Sequence, residues 1–333
     1  MSINVLKPGL LTTVQDLGRF GYQKDGLVVS GALDTAALRM ANLLVGNSET
    51  AAGLECTLRG PHLRFEADAL LAFTGADLAA TINGQPVPRG RPVAVRAGAV
   101  LTFGVAPGPG RAWLAVAGGV ATAPVLGSRA TYLRAALGGL AGRALRAGDA
   151  LPVGAWPALS ARLFGQVAPL AAGWAAAPWG PAALPTPPPG AGIRVRAVPG
   201  PEYAQFTPES QRAFWAETFT VTTEADRMGC RLNGPALARG TSAELLSSAV
   251  TCGTVQVPAG GQPIVLLADC QTTGGYPRLA QVISADRGRL AQALPGTRLR
   301  FEPVALAAAQ ALYLAQEQRL RAVARAVYLK SLL

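Results

Sequence analysis

Between residues 63 and 153 no apolar run goes far before a turn residue interrupts it. Glycine, proline, Asn-Gly and Pro-Gly separate one short hydrophobic stretch from the next. That spacing leaves no room for long helices and predicts strands joined by hairpins. Asn83-Gly84 is the sharpest of these signals, because both residue types tolerate the positive φ of a two-residue turn. A glycine turn feeding a strand recurs at residues 98–103, 148–153 and 296–301. With 39 glycines in 333 residues, chance matches are expected, so the recurrence is only suggestive of repeated barrel hairpins.

Residues 251–277 combine the same hairpin logic with chemistry. Val255 and Val257 alternate with Thr254 and Gln256, the period of a half-buried strand. Residues 258–263 form a proline- and glycine-rich turn, and residues 264–268 are a short apolar run that reads as a buried strand. Polarity then rises abruptly through Asp269, Gln271, Thr272 and Thr273 into Gly274, Gly275, Tyr276 and Pro277. A rigid strand that delivers a carboxylate, an amide and two hydroxyls into a glycine loop can place polar groups against a small ligand. The plainer alternative is a tight loop whose side chains satisfy its own backbone.

The remaining chain divides by composition. Residues 9–34 are a second concentration of polar and glycine residues. There Gln15, Asp16 and Arg19 lie among glycines, and Arg19 either clamps an anion or pairs with Asp16. Asp34 caps a helix that runs to Val45, and Glu55 lies in an apolar strand where its carboxylate needs a partner. Residues 1–155 are expected to form one β-barrel domain with a helix. Residues 156–192, rich in alanine, proline and glycine, read as a linker or crossover. A second barrel follows over 193–303, opening on the alternating strand Ile193-Arg-Val-Arg, with a short helix over 209–217. Residues 304–333 form an amphipathic helix expected to pack across a barrel. Arg227 and Arg231 sit in a charged glycine loop where they either bind an anion or form a surface turn.

The formal charge is +11, nearly all arginine, with lysine only at 7, 24 and 330. The arginines are scattered, without a basic run or interleaved aromatics, which argues against nucleic acid. The chain starts without a basic segment followed by an apolar run and has no stretch long enough to span a bilayer, so a cytoplasmic, membrane-free protein is expected. Cys56, Cys230, Cys252 and Cys270 form no CxxC pair, and His62 is the sole histidine, so no metal site is expected. Phosphate-loop and serine-elbow motifs are missing, and the chain has few bases other than its carboxylates. A complete, self-sufficient enzyme is therefore not expected.

Five segments together carry a resemblance: residues 12–19 (TTVQDLGR), 30–34 (SGALD), 41–47 (ANLLVGN), 226–229 (DRMG) and 271–277 (QTTGGYP). In this order they resemble the family of the 5-oxoprolinase C subunit, or KipA-like family, also described as urea amidolyase-related, allophanate hydrolase subunit 2, or carboxyltransferase subdomain A/B. Leu33 stands where the family usually has methionine. The resemblance implies a mainly β fold with a few helices and two cyclophilin-like β-barrel domains. It also implies ATP with Mg2+, shared with two partners, a KipI-like protein and one of the lactam-hydrolase type. A small amide is the implied substrate. Asp269, Asp16 and Gln271 are the expected catalytic groups. Arg19, Ser30, Asp34, Arg227, Gln256, Thr272, Thr273, Gly274, Gly275 and Tyr276 are expected to hold substrate or phosphate. Two alternatives accompany this reading: a non-catalytic antagonist of a KipI-like kinase inhibitor, and a carboxyltransferase component. The second needs a separate biotin carrier, because no Ala-Met-Lys-Met motif is present for covalent biotin.

Overall fold

A computed structural model describes residues 1–105, 110–167, 173–181, 192–241 and 245–333. The chain forms two compact units. The first comprises Met1–Gly18, Thr35–Thr186 and Gln318–Leu333, and the second comprises Arg19–Asp34 and Pro187–Glu317.

The first unit is built on two six-stranded sheets. One runs Ala150–Pro152, Ser2–Lys7, His62–Phe65, Val100–Thr102, Thr81–Ile82, Gln85–Pro86. The other runs Trp174–Ala176, Val93–Val95, Ala69–Gly75, Arg111–Val116, Gly53–Thr57, Leu11–Gln15. Together they enclose one apolar core that includes Ile3, Leu63 and Leu101 from the first sheet and Leu54, Phe73 and Leu114 from the second. Strand Ala69–Gly75 shows why its sequence lacks alternation. Leu71 and Phe73 point into that core, whereas Leu70 and Ala72 pack on the other face beside the helices Thr35–Leu44 and Ala158–Val167. A strand covered on both faces reads as a continuous hydrophobic run.

The turn signals are realised at the backbone. Asn83 and Gly84 take φ values of 50° and 80° and join Thr81–Ile82 to Gln85–Pro86. Gly98, Gly148 and Gly296 share nearly the same left-handed φ, 86°, 88° and 86°, each just ahead of a strand.

Part of the stretch expected to be a linker is structured. Residues 158–167 form a helix that buries Ser160, Leu163 and Val167, and Ser160 Oγ donates to the Val45 carbonyl at 2.6 Å. Trp174–Ala176 extends the second sheet by pairing with Val93–Val95. Alanine-rich sequence suits a packed helix as well as a spacer, and here the spaced apolar residues decide. The proline run of 182–191 lies outside the described residues. The C-terminal helix, Leu306–Lys330, also divides differently from expectation. From Gln318 onward it belongs to the first unit, where Leu320 and Val327 are buried among Met40, Leu44 and Leu70.

The second unit is a closed seven-stranded barrel. Its order is Ile193–Pro199, Arg278–Val282, Thr254–Gln256, Ile264–Leu266, Gly229–Asn233, Phe219–Val221, Arg298–Pro303, and the last strand closes on the first by parallel pairing. Ile193 and Val195 are buried while Arg194 is exposed, as the alternation requires. Helix Pro208–Ala216 is capped by Thr207, whose side chain accepts the Ser210 amide at 3.2 Å, and its Phe214 stacks on Phe301. This is the closed barrel among the described residues; the first unit uses its pair of sheets instead. No helix among the described residues is long and apolar enough to cross a membrane.

Candidate functional site

The hairpin of Thr254–Gln256 and Ile264–Leu266 positions the polar loop. Its strands pair Val255 with Val265 and Gln256 with Ile264, joined through a turn where Gly261 has φ 74°. The chain leaves the second strand after Leu266, turns through Asp269 and then doubles back along the hairpin. The Val257 amide donates to the Pro277 carbonyl at 3.1 Å, so the loop returns over Gln256.

Asp269 is 3% exposed and fully engaged. Its Oδ1 accepts from Ser30 Oγ at 2.7 Å and from Arg227 Nη2 at 3.1 Å, and its Oδ2 accepts from Arg227 Nε at 2.9 Å. Arg227 Nη2 also donates to the Gly31 carbonyl at 2.5 Å. The Ser30 amide donates to the Ala268 carbonyl at 3.0 Å, and the Asp269 amide donates to the Arg227 carbonyl at 2.9 Å. Ser30 holds φ 57°, a left-handed conformation uncommon for a residue with a side chain. Asp34 lies on the same unit against Gly288: a Cβ built there would come 2.5 Å from Asp34 Oδ2. Glycine at 288 is therefore what admits the carboxylate.

A second cluster gathers at Gln256. The register shifts between Val255 and Gln256 where the strand pairs with Arg278–Val282. The buried Gln256 amide reaches the Tyr276 carbonyl and the Gln271 amide, both at a long 3.4 Å. Gly274 presses directly on it, with its virtual Cβ 2.8 Å from Gln256 Nε2. Thr273–Gly274 pairs with Ser248–Ala249 in a small ribbon, and the Thr272 carbonyl accepts the Val250 amide at 3.0 Å. Thr273, Gly275 and Tyr276 are exposed, while Thr272 is half-buried. The loop thus partly satisfies its own backbone and partly presents side chains to solvent.

Arg19 belongs to the second unit, where its amide donates to the Val29 carbonyl at 2.8 Å. Asp16 belongs to the first. Its carboxylate accepts from the Gly18 amide at 2.8 Å, from Ser128 Oγ at 2.7 Å and from the Arg129 amide at 2.5 Å. That set pins the polar loop at 127–131. The geometry gives Asp16 a loop-fixing task, and its neighbours in sequence carried no sign of Ser128 as a partner.

Burial disfavours the thiolate form at three of the four cysteines. Burial pushes Cys270 and Cys56 up to about 12 and raises Cys252 as well. His62 is lowered by burial and by the nearby Lys7 charge. Among the described residues no group of three or more metal-binding side chains occurs. Gly288 packs against Asp34, and local pattern does not flag it. Its only signal is a glycine between Arg287 and Arg289, which spacing alone does not mark.

The barrel and the paired sheets have counterparts among known proteins, which place the chain in a family. The profile of the carboxyltransferase domain, subdomain A and B, matches residues 25–303. The chain belongs to this family. It is 42% identical over 317 residues to the C subunit of 5-oxoprolinase from Escherichia coli (strain K12), covering 95% of each protein. It is 38% identical over 306 residues to the same subunit from Haemophilus influenzae, covering 91% of this chain and 92% of that one. Urea amidolyase of Lachancea kluyveri is 31% identical over 339 residues, which span 95% of this chain but 18% of that much longer protein. The K. lactis urea amidolyase structure superposes with a TM-score of 0.84 at 27% identity, over 97% of this chain and 20% of that one.

Proposed function

We propose that the protein is the C subunit of an ATP-dependent 5-oxoprolinase, converting 5-oxo-L-proline, ATP and water to L-glutamate, ADP and phosphate in the cytoplasm. It acts with a KipI-like partner and a third protein of the lactam-hydrolase type, the B and A components of the complex. The observation that carries this reading is end-to-end identity of 42% with a 5-oxoprolinase C subunit, combined with a loop that offers amides and hydroxyls but no activated nucleophile. A planar lactam needs one donor and one acceptor beside each other, and the half-buried Gln271 side chain, held by Gln256 beneath it, carries both. ATP, with Mg2+, is shared with the partner proteins, since this sequence carries no phosphate loop. No covalent biotin is used.

The test is glutamate release from 5-oxoproline by the three purified proteins, with and without ATP. The expected result is release only with ATP and all three chains. Equal release when this chain is omitted would sink the proposal, and complex formation without turnover would favour the antagonist reading. A second reading, carboxyl transfer from a separate biotin carrier to an amide, is favoured by the carboxyltransferase profile. Carboxylation of an added amide in the presence of a carboxybiotinylated carrier would select it.

A further inference from the structure

We infer that Asp269 is a positioning residue: with Arg227 it forms a latch that closes residues 19–34 onto the barrel unit. The latch does not depend on which reaction the protein serves. Residues 19–34 are more than 190 positions from Arg227 in sequence, yet cluster with the barrel, while the residues on either side of them cluster with the first unit. Such an excursion needs fastening, and the bonds that fasten it converge on one carboxylate.

Ser30 Oγ and the Arg227 fork take both Asp269 oxygens, and Arg227 reaches past the carboxylate to the Gly31 carbonyl. The Ser30 amide adds a strand-like bond to Ala268, one residue before Asp269. The segment also closes on itself through the Arg19 amide and the Val29 carbonyl. Asp34, at its far end, seats against Gly288. All three latch side chains are buried, at 4% exposure for Ser30, 7% for Arg227 and 3% for Asp269. In that setting a bidentate, charge-assisted pair is geometrically specific, and removing one member breaks both of its parallel bonds. The left-handed Ser30 backbone is held by these bonds, so the closed segment stores a small conformational cost that opening releases. A carboxylate with both oxygens committed in this way is built to hold, and accepting a substrate proton would require breaking the latch.

The experiment is amide hydrogen exchange on the full chain, read at Arg19 and Ser30 and at the barrel strands Ile193–Pro199 and Ile264–Leu266. Ser30→Ala is the primary variant, because it removes one latch bond and leaves the ion pair intact. Exchange at Arg19 and Ser30 is expected to rise about tenfold to a hundredfold, the range for losing a hydrogen bond to a charged group. Barrel-strand protection should stay unchanged. Asp269→Asn should open the segment at least as far. Arg227→Lys, which keeps the charge but not the fork, should open it less than Arg227→Met. Unchanged exchange at Arg19 and Ser30 in Ser30→Ala and Asp269→Asn would overturn the inference. So would parallel loss of protection in the barrel strands, which would make the pair a core pillar instead of a latch.

Discussion

Gly75 and Gly296 have nearly the same backbone, φ 85° and 86°, but different surroundings. A Cβ on Gly296 meets nothing within 4 Å, so Gly296→Ala should cost only the left-handed conformation, about 1 kcal/mol. A Cβ on Gly75 would lie 2.4 Å from the Arg111 carbonyl and 2.7 Å from the Trp113 ring. Gly75→Ala should therefore cost clearly more, and paired urea-unfolding curves compare the two. Glu55 makes the same point for a side chain. Its carboxylate, flanked by apolar residues, had to find a donor, and that donor is Trp113 Nε1 at 3.0 Å. Glu55→Ala should cost about 1–3 kcal/mol by stranding a buried indole N–H, and Glu55→Gln, which keeps an acceptor, should recover part of it. The need was legible in the strand. The partner was not, because it is supplied by the register that sets Trp113 opposite Glu55.

Elements are tied together by a few carboxylate–arginine pairs that local pattern does not reveal. Glu202 accepts from the Arg278 amide at 2.9 Å and from its guanidinium at 2.9 and 2.6 Å, joining the turn at 200–205 to strand Arg278–Val282. The Arg278 side-chain bonds hold the Glu202 carboxyl below its ordinary value. A carboxyl depressed on folding adds stability above its unfolded value and loses it as pH falls through the folded one. The barrel should therefore weaken as pH drops below about 4.3, the unperturbed glutamate value. Glu202→Gln should flatten that part of the stability–pH curve, measured by denaturant midpoints from pH 6 to pH 3. The hairpin itself was legible: alternation, the glycine turn and the apolar run all appear where periodicity places them. The loop beyond it held both of its possible meanings until the fold showed Gln256 buried beneath Gly274 and Tyr276 exposed.

Among the described residues the backbone passes between its two units at residues 18/19, 34/35 and 317/318. Composition placed a boundary near the proline run but could not show the other crossings. The C-terminal helix is the clearest case. Leu320 and Val327, each 2% exposed, complete the apolar cluster on the outer face of the second sheet. Leu320→Ala should cost about 2–5 kcal/mol, the range for truncating a buried leucine. Truncation after Glu317 should expose Leu70, Ala72 and Ala115 and raise binding of an apolar dye. If thermal midpoint and dye binding of the truncated chain match the full-length protein, that packing contributes nothing.

Where strands begin and turn was already written in the order of residues, because period-two alternation and glycine's access to positive φ are local properties. Segments carrying the family motifs could be read in the same way, as strings. Which groups meet emerged only in three dimensions. Asp16 went to Ser128 in one unit, while Asp269 went to Ser30 and Arg227 in the other. The physical reason is that a buried carboxylate must find donors, and long-range strand register and chain crossings decide which donors come within reach.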